Sequence, residues 1–205
     1  WNKTKRFAPK ATFHKQARLT VLVAAGQENR GLLQVRKTHG AGEEIILDEG
    51  GSAYIDIGSK VWLKAAPVGT NRFERWNWQY GGNSRSSSAT EITETIADYP
   101  SYQFTASFVA QAHLTLQIDP DANGAGKFQV KGQDYQPGQC HDVGAQVSIR
   151  AIPDQNNRFV KWLDNDSASP YRTVYIKSGD NVYTARFVKT GTVTMKAKII
   201  TTGEF

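Results

Sequence analysis

VWLKAAPVGTNRFERW, residues 61–76, returns as VSIRAIPDQNNRFVKW at residues 147–162. Seven of the sixteen positions are identical at an offset of 86: Val, Ala, Pro, Asn, Arg, Phe and Trp. A second block, Ala-x-Phe with a Thr seven residues after the Phe, occurs at Ala11/Phe13/Thr20, Ala106/Phe108/Thr115 and Ala185/Phe187/Thr194. Self-similarity at a steady spacing marks an array of structural units. It points to spacing, display or adhesion before it points to catalysis.

The offsets between copies say where they differ. LTVLV and GLLQV align with LTLQI and GKFQV at an offset of 95, which falls to 86 by Val61 and to 79 by Ala106. The first copy therefore carries nine more residues between Val35 and Val61, and seven more between Trp76 and Phe108. These stretches, THGAGEEIILDEGG and YGGNSRSSS, are rich in Gly, Ser and charge and read as surface loops on a common frame.

Most of the apolar segments alternate with period two and are rich in β-branched and aromatic residues: LTVLV, LLQV, VWLKA, TEITETI and YQFTASFV, then LTLQI, KFQV, VSIRAI, TVYI and VYTARFV. Turn formers such as DPDANGAG, PDQNN and KSGDN separate them. No stretch carries a helical apolar stripe. The fold class expected is all-β, as two tandem small β-sandwich or β-grasp-like repeat units. Residues 19–110 form the first repeat and 111–188 the second. Residues 1–18 read as the tail of a preceding repeat and 189–205 as the start of a following one, so the natural protein is expected to extend beyond both ends.

Alternation points Val61, Leu63 and Ala65 one way, with Val147, Ile149 and Ala151 as their equivalents. The recurring aromatics Phe73, Trp76 and Phe108, and Phe159, Trp162 and Phe187, are expected to plug the two cores. Burial of each is worth about 1.5–3 kcal/mol or more.

Charge and special residues narrow the function classes. Of 25 basic and 19 acidic residues, Lys3, Lys5, Arg6, Lys10, Lys15 and Arg18 precede any acid, so the net +6 sits in the first segment. The remainder is neutral, and nucleic acid is not an expected partner. No apolar run of 18 residues exists to span a membrane. One cysteine, Cys140, excludes an intramolecular disulfide framework. Cys140 and His141 are neighbours on an extended chain and point to opposite faces, which argues against a nucleophile pair.

The order strand–Gly–strand, V-x-[LI]-x-A-x-P-x5-F-x2-W, polar turn, T-V-x-[IV], closing [YF]-T-A-x-F resembles the divergent internalin B-type repeat, the Listeria–Bacteroides type. Val147, Ile149, Ala151, Pro153, Phe159, Trp162 and Tyr183 to Phe187 carry the likeness best. Where the family pattern has Gly before the aromatic, this chain has Asn71-Arg72 and Asn157-Arg158, and Asn suits a turn needing positive φ. The resemblance implies a non-catalytic stalk, spacer or adhesive array in a large, secreted or surface-attached bacterial protein. Its expected location is extracellular, its expected partners are neighbouring repeats of the same chain, and it calls for no cofactor.

Two site hypotheses stand beside that frame. Trp62, Trp78 and Tyr80 have no aromatic counterpart in the second unit, and exposed aromatics can stack on a surface glycan or contact a host or partner protein. Asp119, Asp121 and Asn123 match the first half of a calcium loop, but Val130 stands where a bidentate Glu is needed and Asn-Gly favours a turn. The scattered histidines, and the absence of a nucleophile elbow or phosphate loop, leave no catalytic constellation. A fibre or decoration component of a bacterial virus is the third reading, because such proteins also borrow repeat modules.

Overall fold

The computed structural model describes residues 13–39, 42–48 and 50–191. Of the flanking partial repeats expected at 1–18 and 189–205, residues 1–12 and 192–205 lie outside the described residues, while Gln16 to Arg18 open the first strand of the first unit and Lys189 ends the last strand of the second. The chain divides at Gln111/Ala112 into two compact units, and every regular element is a β-strand.

The first unit has nine strands: β1 (Gln16–Val23), β2 (Gly31–His39), β3 (Gly42–Leu47), β4 (Gly51–Asp56), β5 (Lys60–Pro67), β6 (Arg72–Tyr80), β7 (Asn83–Ser87), β8 (Glu91–Thr95) and β9 (Ser101–Val109). They form two sheets, β4-β1-β9-β6-β7 and β3-β2-β5-β8. The second unit has eight: β10 (Gln111–Ile118), β11 (Gly126–Val130), β12 (Gln133–Asp134), β13 (Cys140–Asp142), β14 (Gln146–Pro153), β15 (Asn157–Trp162), β16 (Tyr171–Tyr175) and β17 (Asn181–Lys189). Their sheets, β13-β10-β17-β15 and β12-β11-β14-β16, reproduce the first unit's order strand for strand, with β7 the one addition.

Each unit buries one core between its two sheets. In the first, Leu19, Val21, Trp76, Phe104 and Phe108 meet Leu33, Val35, Val61, Leu63 and Ala65. In the second, Leu114, Trp162, Ala185 and Phe187 meet Phe128, Val130, Val147, Ile149 and Ala151. Period-two alternation is the cause: on β5 and β14 the odd-numbered residues face in and the even ones out.

Phe73 and Trp76 are three apart, a spacing that should send them to opposite faces. A β-bulge resolves this, because the register of β6 against β9 shifts between Phe73 and Arg75. The register of β15 against β17 shifts at the same place, between Phe159 and Lys161. One extra residue restores the phase, and both aromatics turn inward. Phe73 then lies 5.9 Å from Trp76 and 5.7 Å from Phe108, and Phe159 lies 5.7 Å from Trp162 and 5.8 Å from Phe187. The second ring pair in each unit crosses at 73°. The indole N–H of Trp76 donates to Thr90 O and that of Trp162 to Ser169 O. The repeat therefore reproduces a core down to its hydrogen bonds.

Two expectations are corrected. The insertions are not loops: GEEIIL is strand β3, and NSRSS is strand β7, joined to β6 across Gly81 and Gly82. Both glycines take positive φ, 50° and 81°, as a two-residue hairpin of primed type requires. NSRSS carries no apolar alternation because it is an exposed edge strand. Nor do Asn71 and Asn157 supply the left-handed residue, which is Gly69 in one copy and Asn156 in the other. Asn71 and Asn157 instead pin the turn through side-chain amides, to Val68 O and Gln155 O.

Candidate functional site

The structure does not assemble Trp62, Trp78 and Tyr80 into one surface. Trp62 points outward from β5, half-buried between the Arg36 guanidinium at 5.2 Å and the Lys64 ammonium at 5.9 Å. Trp78 and Tyr80 belong to β6, in the other sheet. Trp78 is only 7% exposed and stacks on Phe104 at 5.8 Å. Its assignment to a recognition surface is therefore corrected, because even-numbered residues beyond the β6 bulge face the core. Phe104 continues into Tyr102, Tyr80 and Tyr99 as a ladder of rings 5.0–6.4 Å apart. Tyr80 sits at its edge beneath Arg85 and lines a polar cleft of about 420 Å³ with Gln79, Asn83 and Gln103.

Asp119, Asp121 and Asn123 do not converge on a cation position. Asp119 is 4% exposed, and its carboxylate is committed to the protein. One oxygen accepts from Arg186 Nε at 2.5 Å and the other from the Asp121 backbone N–H at 3.1 Å. The Arg186 hydrogen bond and the Asp121 N–H hold the Asp119 pKa below its ordinary value. Asn123 Oδ1 faces the Lys189 N–H at 3.4 Å. The segment is a turn closed by an ion pair in which Asp119 is buried and Arg186 half-exposed, so the Asp119 carboxylate is engaged by Arg186.

Pairing of β10 with β13 makes a contact that sequence separation conceals. Cys140 Sγ lies 3.3 Å from His113 Nδ1, so the partner of the thiol is His113 and not its neighbour His141. His141 is partly buried, which lowers its pKa.

The outer faces of the β2–β5 and β11–β14 sheets carry residues that sequence reasoning missed. In the first unit one rung crosses the sheet as Asp48, Gln34, Lys64 and Glu91. Gln34 Nε2 donates to Asp48 Oδ1 at 3.0 Å, and Lys64 Nζ pairs with Glu91 at 2.9 Å. In the second unit the same rung reads Asp134, Gln129, Arg150 and Tyr171, with Gln129 Nε2 donating to Asp134 Oδ1 at 3.3 Å. Here the fourth position is aromatic, and the Arg150 guanidinium lies over the Tyr171 ring at 4.5 Å. A single-sequence reading gives the faces of β5 and β14 but not the cross-strand register that builds these rungs.

No curated protein matches the chain. Among solved structures it is similar to the Bacillus anthracis TIE protein, at 10% identity and TM-score 0.30, over 85% of this chain and 34% of that one. The chain thus spans about a third of that protein's length. It is similar to the shaft pilin SpaA from Lactobacillus rhamnosus GG at 7% identity and TM-score 0.29, over 89% of this chain and 100% of that one. The major pilin from Streptococcus pyogenes follows at 9% identity and TM-score 0.23, over 86% and 98%. Residues 114–191 match the family model of the divergent InlB B-repeat domain, the family whose likeness the sequence of the second unit carries.

Proposed function

We propose that the chain is a non-catalytic structural repeat module, a stalk or spacer in a large bacterial surface or secreted protein, whose partners are the neighbouring repeats of its own chain. The observation that carries this reading is where each unit's first and last strands lie. β1 pairs in parallel with β9, from Arg18↔Ser101 to Val23↔Ala106, and β10 pairs in parallel with β17, from Leu114↔Asn181 to Ile118↔Ala185. In a parallel pair, the start of the first strand and the end of the last lie at opposite ends of the ladder. Tension applied through the chain then loads the rungs together in shear, instead of opening them one at a time. A spacer under load is served by that arrangement, and it occurs in both units.

The family match over residues 114–191 supports the bacterial surface setting. Of the polar groups offered for a metal, Asp119 and Asn123 are engaged within the protein, by Arg186 and the Asp121 N–H and by the Lys189 N–H, which supports a non-catalytic role. Half-exposed Trp62, flanked by two cations, favours an added adhesive role towards a glycan or a partner protein.

Pulling the chain by its ends in a single-molecule force experiment tests the reading. Each unit is expected to give a discrete, high-force unfolding event. Tyr183→Pro, which removes a donor that β17 directs at β10, should lower the force of one event and leave the other unchanged. Extension of both units at low force without discrete events would overturn the spacer assignment.

A further inference from the structure

The two units share a frame, and they differ on its outer face in one coordinated way. In the first unit the Lys64 charge is answered by Glu91, and Trp62 fills the face beside it. In the second unit Ser148 stands at the Trp62 position and Tyr171 at the Glu91 rung. Replacing an indole by a hydroxymethyl opens a cleft of about 210 Å³, lined by Gln129, Gly132, Ser148, Arg150 and Tyr171. Replacing the carboxylate by a phenol leaves Arg150 with no acidic partner among the described residues.

The rest of this face has the character of a site. Tyr171 and Tyr175 are 57% and 59% exposed, and Thr173 between them also faces out, on the edge strand β16. Gln146 Nε2 donates to the Tyr175 hydroxyl at 2.7 Å, which holds that ring in place. Lys127 and Lys131 are exposed on or beside β11, and Asp134, the acid of the rung, is already engaged by Gln129. Two exposed aromatic rings, a hydroxyl and a guanidinium without an acidic partner thus share one polar sheet face around the cleft.

We propose that this outer face of the second unit binds a carboxylate-bearing glycan, an acidic polysaccharide of uronic-acid type. A guanidinium matches a carboxylate in a bidentate fork. Exposed tyrosines offer amphipathic faces to pyranose rings. Ser148 and the Gln129 side chain supply hydrogen-bonding partners for sugar hydroxyls. Lys127 and Lys131 add long-range attraction for a polyanionic chain around that fork.

Titration of the chain with polygalacturonate oligosaccharides, against dextran as a neutral reference, tests the assignment. The acidic oligomers are expected to bind, to weaken as NaCl rises, and to shift backbone resonances in β14 and β16. Arg150→Ala should cost about tenfold or more in affinity, as removal of a charge-assisted hydrogen bond does. Tyr171→Glu, which restores the first unit's ion pair at an exposed position, should abolish binding. Lys64→Ala should change nothing, and melting curves of the variants should match that of the unaltered chain.

Equal binding of dextran, no binding of polygalacturonate by the folded chain, or loss on Lys64→Ala would each overturn the proposal. So would a peptide ligand that protects β16 amides and ignores Arg150→Ala, since that would make the edge strand a pairing surface instead. The spacer reading stands or falls separately, on the force measurement.

Discussion

A single glycine shows how closely each core is fitted. A Cβ on Gly126 would stand 2.5 Å from Phe187 Cε1 and 2.7 Å from Ile152 O, and a Cβ on Gly31 would overlap the Phe108 ring in the same way. The backbone here is a notch that receives the closing Phe of its own unit. Gly126→Ala should therefore destabilise the second unit by about 1–3 kcal/mol through overpacking, read as a fall in its denaturant midpoint. Gly132→Ala is the control: its φ is +81°, but open space surrounds it, so it should cost only the backbone strain, about 1 kcal/mol. Equal effects at the two positions would refute the notch. Asp119 gives a residue-scale prediction in pH. Its pKa in the folded state lies below the ordinary 3.8, chiefly because Arg186 donates to it. The stabilisation is therefore complete above the ordinary Asp range and is lost as pH falls through the lowered folded value. Asp119→Asn should flatten the acid limb of the second unit's stability curve, and an unchanged limb would show that other carboxylates dominate.

Among the strands, the readable ones were those with one wet face and one dry face. β5 and β14 alternate cleanly, so Val61, Leu63 and Ala65 and their equivalents were placed correctly on the inner face from sequence alone. β7 was hidden because both of its sides lack apolar residues, and only the Gly81-Gly82 pair signalled a hairpin. Trp78 was misplaced because its lack of a counterpart in the second unit was read as exposure, although alternation from Trp76 puts it on the inner face; the bulge between Phe73 and Arg75, by contrast, is a matter of pairing between strands, and a period read along one chain does not register it. For the same reason the Asp134–Gln129–Arg150–Tyr171 rung and the Cys140–His113 contact were invisible: each spans strands far apart in sequence. The bulge itself can be tested. Deleting Val160 removes the extra residue between Phe159 and Lys161, returning β15 to strict alternation. Phe159 and Trp162 then stand two apart and still both face inward, so the loss should stay well below that of a Phe→Ala core substitution, about 3–5 kcal/mol. Inserting an Ala after Val160 instead puts the two aromatics out of phase across the bulge and should cost about that much. Comparable losses would show that phase across the bulge is not what aligns the two rings.

At the scale of the molecule, two complete cores in one chain predict two separable unfolding transitions. Trp162 is fully buried, contacts Phe128 and Phe159, donates to Ser169 O and carries the Arg172 guanidinium over its ring at 5.5 Å. Arg172 is in turn gripped by Asp164 through two hydrogen bonds, at 2.6 and 2.9 Å. Trp162→Ala therefore removes the centre of one core together with the support of its loop, at a cost of about 3–5 kcal/mol from the cavity alone. That is a large share of the stability of a small domain, commonly about 5–15 kcal/mol. Calorimetry should show one transition moving sharply down or vanishing, while the other keeps its midpoint. Trp76→Ala should do the reverse, because Trp76 holds the same place in the first core. A common shift of both transitions in either variant would mean that the units fold as one cooperative body. An array of independent cores is what a spacer requires, since one unit can then yield under load without releasing its neighbour.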